Sequence, residues 1–168
     1  MRRREFIALL GGGALAWPPA ARAQQTGKIM RIGVLMGEGA NDPEAQRRLS
    51  AFTKGLEQLG WNTGRNISIE TRWGEGNSER IRENAAELFR SSPDVILAVS
   101  TPAVAAAKTE SKTIPTVFVS VSDPVGLGFV TSLAHPGGNI TGFANFEPEM
   151  GSKWLEPISK LLAAVDPI

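Results

Sequence analysis

Short apolar runs alternate with helix-periodic segments along most of this 168-residue chain, and that alternation sets the fold. Arg31–Met36 reads as a buried strand. Asp42-Pro43 supplies a helix N-cap and an N1 proline. Ala45, Leu49, Phe52, Leu56 and Leu59 then recur at helical spacing until Gly60. Asn66–Trp73 alternates as a strand. Asn77-Ser78 caps a helix carrying Ile81, Ala85 and Leu88. Asp94–Ser100 is a continuous apolar run, the signature of a strand covered on both faces. Thr101-Pro102 opens an alanine-rich helix to about Ser111, and Pro115–Val121 is the next strand. Asp123-Pro124 is expected to open a short helix reaching Leu133. The turn His135–Asn139 then leads to a last strand, Ile140–Asn145. A helix over 149–165 follows by spacing (Met150, Trp154, Ile158, Leu161, Val165), with Pro157 inside it.

The order βαβαβαβαβα requires crossover connections, hence parallel strands and right-handed crossovers. The expected fold class is therefore α/β: an open, doubly wound, mostly parallel sheet with helices on both faces.

Composition removes several chemistries. No cysteine means no disulfide, no cysteine-ligated metal and no cysteine nucleophile. A single histidine, His135, excludes a multi-histidine metal site within one chain. No cofactor is expected.

The first 23 residues read as an address. Arg2, Arg3 and Arg4 precede an apolar stretch from Phe6 to Trp17, and Ala21-Arg22-Ala23 offers a small-x-small cleavage site. Arg3-Arg4-Glu5-Phe6-Ile7 fits the twin-arginine export pattern. The expectation is a signal cleaved after Ala23 and a periplasmic protein. The blander reading is an amphipathic or membrane-anchoring helix. Of 18 basic and 17 acidic residues, this segment holds four and one, leaving 14 against 16 and a net charge of −2. No Lys/Arg cluster remains to suggest nucleic acid. The expected organisation is a signal at 1–23, a substrate-binding lobe over 24–148, and a helix with a truncated connection over 149–168.

In such sheets ligands bind beyond the strand carboxyl ends. Three loops qualify. They contribute Gly39 and Asn41; Ser100, Thr101 and Pro102; and Ser122, Asp123 and Pro124. Free N–H groups at helix starts suit a carboxylate or phosphate. Ser100, Thr101 and Ser122 add hydroxyl donors, and Asp123 can accept from an ammonium group. The alternative is that Asp42, Thr101 and Asp123 cap their own helices. Gly37-x-Gly39 lacks the remainder of a dinucleotide or phosphate-loop motif. No G-x-S-x-G elbow accompanies Ser122, Asp123 and His135. His135 reads as a solvated turn residue and Trp61 as packing, whereas Trp73 and Phe146 have no clear assignment.

Val121-Ser-Asp-Pro-Val125, Ser132-Leu-Ala-His-Pro-Gly-Gly-Asn-Ile-Thr-Gly142, Phe52-x-x-Gly55-Leu56-x-x-Leu59-Gly60, Thr101-Pro102-Ala103 and Gly151-x-Lys153-Trp154-Leu155 together carry a resemblance. With Ile32-Gly33-Val34-Leu35 they make nearly all of 29–168 similar to the ABC-transporter substrate-binding family that includes tryptophan-binding members. The resemblance implies a type I periplasmic-binding-protein-like fold, with two lobes closing on a small ligand such as an amino acid or another small carboxylate. It implies partnership with an inner-membrane ABC permease and its separate ATPase, and no catalysis by the protein itself. Two features depart from the pattern. Asn41-Asp42-Pro43-Glu44 stands where tryptophan-binding relatives tend to carry His-Pro-x-Leu-Asp. The family is also about twice this length, so the chain corresponds to the amino-terminal lobe. Exposed apolar surface meant for a second lobe would then favour self-association. An exported α/β hydrolase and a ligand-sensing partner domain are the alternative readings from other classes.

Overall fold

The computed structural model describes residues 28–145. The expected signal at 1–23 and the helix and connection at 149–168 lie outside them, as does Phe146. Five strands and three helices form one α/β unit: β1 Met30–Met36, α1 Pro43–Gln58, β2 Ile67–Trp73, α2 Ser78–Arg90, β3 Val95–Val99, α3 Thr101–Glu110, β4 Thr116–Val121 and β5 Ile140–Ala144. The sheet order is β2-β1-β3-β4-β5, and every adjacent pair is parallel. This is the expected class.

Local chemistry sets the helix starts. Asp42 Oδ1 accepts from the amides of Glu44 (2.8 Å) and Ala45 (2.9 Å), satisfying two orphan donors of α1. Asn77 Oδ1 does the same for Glu79 (2.9 Å) and Arg80 (3.1 Å) at α2. The bonds that Asp42 accepts, led by the one from Ala45, hold its carboxyl below its usual pKa.

The sheet divides the core in two. On one face α2 and α3 bury Ile81, Leu88, Val104 and Ala107 against Leu35, Ile96, Ala98 and Phe118. On the other, α1 packs Ala45, Leu49, Phe52 and Leu56 over Ile32, Val34, Met36 and Ile67. Trp61 and Trp73 pack against this second cluster. Trp61 is thus packing, as expected, and Trp73 gains an assignment.

Two expectations change. Asp123–Leu133 is not a helix: it makes a few turn bonds, such as Leu127 N–H to Asp123 O at 3.0 Å, and then irregular chain. Asp123 Oδ1 accepts from Gly126 N–H at 2.8 Å, which closes a local turn instead of starting a helix. Gly128 follows at φ +68°, a conformation that breaks a helix. Leu59, placed by spacing on the buried face of α1, is instead the C-cap residue and 77% exposed.

At the strand amino ends, Asp94 receives Lys28 Nζ and the Arg31 amide (2.8 Å), while Arg31 Nη2 donates to Ser92 O. The Lys28 hydrogen bond is the main cause of a lowered Asp94 pKa.

Candidate functional site

All three expected loops lie at the carboxyl edge of the sheet, because every strand is parallel. Their backbones are laced together. Gly37 N–H donates to Val99 O (3.0 Å), Ser100 N–H to Val119 O (3.1 Å), and Asn145 N–H to Val121 O (2.9 Å). The ends of β1, β3, β4 and β5 thus form one continuous rim.

Ser100 is the anomaly at its centre. Its φ of +94° and ψ of 156° fall in a region that glycine alone occupies without strain. It is the N-cap residue of α3, yet its side chain makes no capping bond. Its Oγ is buried with no hydrogen-bond partner. A buried hydroxyl without a partner costs about 1–3 kcal/mol. Both the strain and the orphaned hydroxyl sit where the amides of α3 begin, next to half-buried Thr101 and exposed Pro102.

Gly37 makes this arrangement possible. A Cβ there would lie 2.1 Å from Ser100 Oγ and 2.8 Å from Ser100 Cβ. The first loop and the start of α3 therefore touch directly.

Gly39 is half-buried and Asn41 exposed on the same rim. Asp42 caps α1, the blander of its two readings. In the third loop Ser122 is exposed, Asp123 is half-buried with its carboxylate on Gly126 N–H, and Pro124 is buried. Ser120, just before it, adopts φ +60° at a break in the β4–β5 register. His135 is exposed in its turn, held by Ser132 Oγ accepting from its amide at 2.9 Å.

A fourth loop, which the sequence reading did not select, completes the rim. Gly74, Glu75 and Gly76 follow β2 and zip onto the first loop. Gly74 N–H donates to Met36 O (2.8 Å), Glu75 N–H to Glu38 O (3.1 Å), and Gly76 N–H to Gly37 O (2.9 Å). Glu75 Oε1 accepts from Ala40 N–H at 3.1 Å, and Glu75 itself sits at φ +54°. Glu38 meets Arg48 at 3.0 Å through Oε1, while its Oε2 is buried without a partner. Glycine–acid–glycine directly after a strand and before an N-cap was the available signal.

Among the described residues one cavity, about 500 Å³, lies at the opposite end, between the end of α3 (Lys108, Lys112) and the start of β5. Another, about 330 Å³, lies between α1 and the sheet. Among the described residues no helix is long and apolar enough to cross a membrane.

Comparison with known proteins gives the rim its context. Residues 40–167 match the family described as ABC transporter substrate binding protein. A tyrosine-binding protein of Clostridioides difficile is 34% identical over 104 residues, which are 62% of this chain and 30% of that protein. The ligand-free, open structure of a Clostridium difficile substrate-binding protein with adhesive properties superposes with a TM-score of 0.66 at 30% identity. It covers 76% of this chain and 43% of that one. A Streptococcus pneumonia ABC domain in complex with L-Trp gives 0.62 at 25% identity, over 68% and 38% of the two chains. The chain thus spans less than half the length of these relatives, consistent with one lobe. With the family matched over most of its length and the five-stranded parallel unit shared with solved members, the chain belongs to the ABC transporter substrate-binding protein family.

Proposed function

We propose that this chain forms the amino-terminal wall of a two-lobed cleft that binds an amino acid with an aromatic side chain, or a related small carboxylate. In this reading the α-carboxylate meets the first amides of α3 together with the Ser100 and Thr101 hydroxyls, beside Pro102. Gly39 and Asn41 line one flank, with Glu75 bracing their loop. Ser122, Asp123 and Pro124 line the other, where Asp123 accepts from the ligand's ammonium. The protein binds and hands over its ligand without transforming it.

The observation that carries the reading is Ser100: a glycine-only backbone geometry and a buried, unpartnered hydroxyl at the start of a helix. Strain of this kind, about 1–3 kcal/mol, persists where the surrounding structure enforces it, typically at ligand sites. A ligand oxygen would supply the missing partner. The tyrosine-binding relative and the L-Trp complex support an aromatic amino acid.

The wider role follows from the family. The chain is exported through its arginine-led signal, cleaved after Ala23, and works in the periplasm. It delivers ligand to an inner-membrane permease driven by a separate ATPase. Where the second lobe is absent, two copies associate through the open wall.

Calorimetric titration of the full-length protein with tyrosine, tryptophan and a panel of other amino acids tests this. Binding of an aromatic amino acid, weakened at least tenfold by Ser100→Ala, is expected. A panel without heat, or binding indifferent to Ser100, would refute it.

A further inference from the structure

The cavity of about 500 Å³ at the amino pole of the sheet has no part in the rim reading. Small-ligand sites run to about 300–1,000 Å³, so its size is that of a site. Its walls are tied together by hydrogen bonds. Asn139 Nδ2 donates to Ile114 O at 2.7 Å and joins the residue before β5 to the segment after α3. Thr131 N–H donates to Pro136 O at 3.0 Å and closes the turn that leads to Gly137 and Gly138. Phe129 N–H donates to Pro124 O at 2.8 Å and fixes the third side. The shape is therefore set by the fold.

The charge of the lining has one sign. Lys108 and Lys112 stand on it, and among the described residues no acidic side chain does. Nor does any described carboxylate pair with either lysine. Lys108 Nζ is held in place: it donates to Gly128 O and sits 5.9 Å from the centroid of the Phe129 ring. That leaves two of its three protons. Lys112 lies one residue past Ser111, the C-cap of α3. Across from them, Gly137 and Gly138 bring backbone N–H groups, and neither donates to another described residue. Pro136, with its ring-fixed negative φ, and Gly137, at φ +79°, show the alternation of sign on which anion-binding backbone nests are built. A Cβ placed at Gly138 would meet nothing within 4 Å, so the backbone there is open to approach. The carbonyl end of α3 alone would repel an anion. The two lysines therefore decide the sign of the site.

We propose that this cavity binds a phosphomonoester whose phosphate is attached to an apolar or aromatic group. Such a phosphate carries close to two negative charges near neutral pH, which two ammonium groups match. One carboxylate would leave a lysine without a counter-charge. Lysine meets phosphate as a point charge and needs no planar fork. The Gly137 and Gly138 amides and the Thr131 hydroxyl supply donors for the remaining phosphate oxygens. The organic part lies along Phe129, Val130 and Ile140, which inorganic phosphate alone would leave uncovered. The site is at the pole opposite Ser100, so its ligand is separate from the one that the rim takes.

Phenyl phosphate titrated into the isotope-labelled full chain, followed by amide NMR shifts, tests this. Saturable shifts at Gly128, Thr131, Gly137 and Gly138 are expected, with Ser100 and Thr101 unmoved. Lys108→Gln combined with Lys112→Gln removes two charge-assisted contacts and should weaken binding by at least about tenfold. Both lysines are exposed, so Tm should stay at the parent value. Gly138→Asp places a like charge at the open backbone and should abolish binding, also without a change in Tm. Benzoate, with a single charge, and inorganic phosphate, without the ring, should each bind at least threefold more weakly. Vesicles containing phosphatidic acid present the same phosphate on a lipid. Co-sedimentation with them that the lysine variant loses, in place of phenyl phosphate shifts, would assign the phosphate to a lipid headgroup. Shifts centred on the rim, benzoate bound as tightly as phenyl phosphate, binding indifferent to the lysines, or no binding in either arm would overturn the proposal.

Discussion

Replacing Ser100 by glycine should make the protein more stable and a poorer binder. The substitution removes two unfavourable terms and adds one. Backbone strain at φ +94° costs about 1–3 kcal/mol and is relieved. The buried hydroxyl without a partner, also about 1–3 kcal/mol, disappears. Against this, glycine costs about 0.5–1 kcal/mol in unfolded-state entropy. The net gain is about 1–5 kcal/mol, or roughly 3–20 °C in Tm for a domain of this size. Gly37→Ala is the complementary perturbation. Its Cβ would lie 2.1 Å from Ser100 Oγ, 2.8 Å from Ser100 Cβ and 3.2 Å from Val99 O. The backbone cannot easily retreat, because Gly37 N–H is bonded to Val99 O. A loss of about 1–3 kcal/mol is expected. Ser100→Gly removes the two closest atoms, so the double variant should recover most of that loss. Urea unfolding of the four proteins gives the coupling energy directly, expected at about 1–3 kcal/mol. Additivity within about 0.5 kcal/mol, or a Ser100→Gly protein less stable than the parent, would refute the reasoning about this contact.

Other outcomes follow from the same structure. Asn77→Ala removes the acceptor for two α2 amides and should cost about 1 kcal/mol by chemical denaturation. Phe118→Ala, at a fully buried ring central to the α2–α3 face, should cost about 3–5 kcal/mol. Glu75→Ala frees the Ala40 amide and loosens the first loop, so ligand affinity should fall about tenfold, some 1.4 kcal/mol, with little change in Tm. Asp42 and Asp94 both have lowered folded-state pKa values, through amide bonds from Ala45 and Glu44 and through Lys28 with the Arg31 amide, respectively. Groups shifted this way stabilise the fold fully above the ordinary Asp range near pH 4, and that stability is lost as pH falls through the depressed values. Tm measured from pH 6 to pH 2 should fall across that window, with a smaller fall in Asp94→Asn.

The alternation of strand and helix was readable because each element carries its own punctuation. Asp42-Pro43 and Asn77-Ser78 straddle the starts of α1 and α2, and Thr101-Pro102 are the first two residues of α3. The parallel sheet then followed from connection length alone. Asp123-Pro124 has the same punctuation and misleads, because Asp123 spends its carboxylate on Gly126 and the glycines at 126 and 128 end the turn. Leu59 misleads differently: it keeps the helical period one residue past the point where α1 ends. At the site, residue types and strand-end positions located the three loops. Ser100's conformation was invisible, since serine carries no mark of a positive φ. The Glu75 loop escaped because its bonds to Glu38, Gly37 and Ala40 join residues some 35 positions apart.

The clasp of Asp94 by Lys28 and Arg31 gives the lobe a polarity. The leading chain is fastened at the amino pole of the sheet, whereas Asn145 leaves from the opposite pole, hydrogen-bonded to Val121 beside the carboxyl-edge loops. Anything attached ahead of Lys28, such as a leader, a tag or a surface linkage, hangs from the end far from the rim, about 23 Å away along the seven residues of β1. Immobilised by that end, the lobe should present its carboxyl-edge rim to solution. A tag or linker attached just after Asn145 would crowd the rim itself.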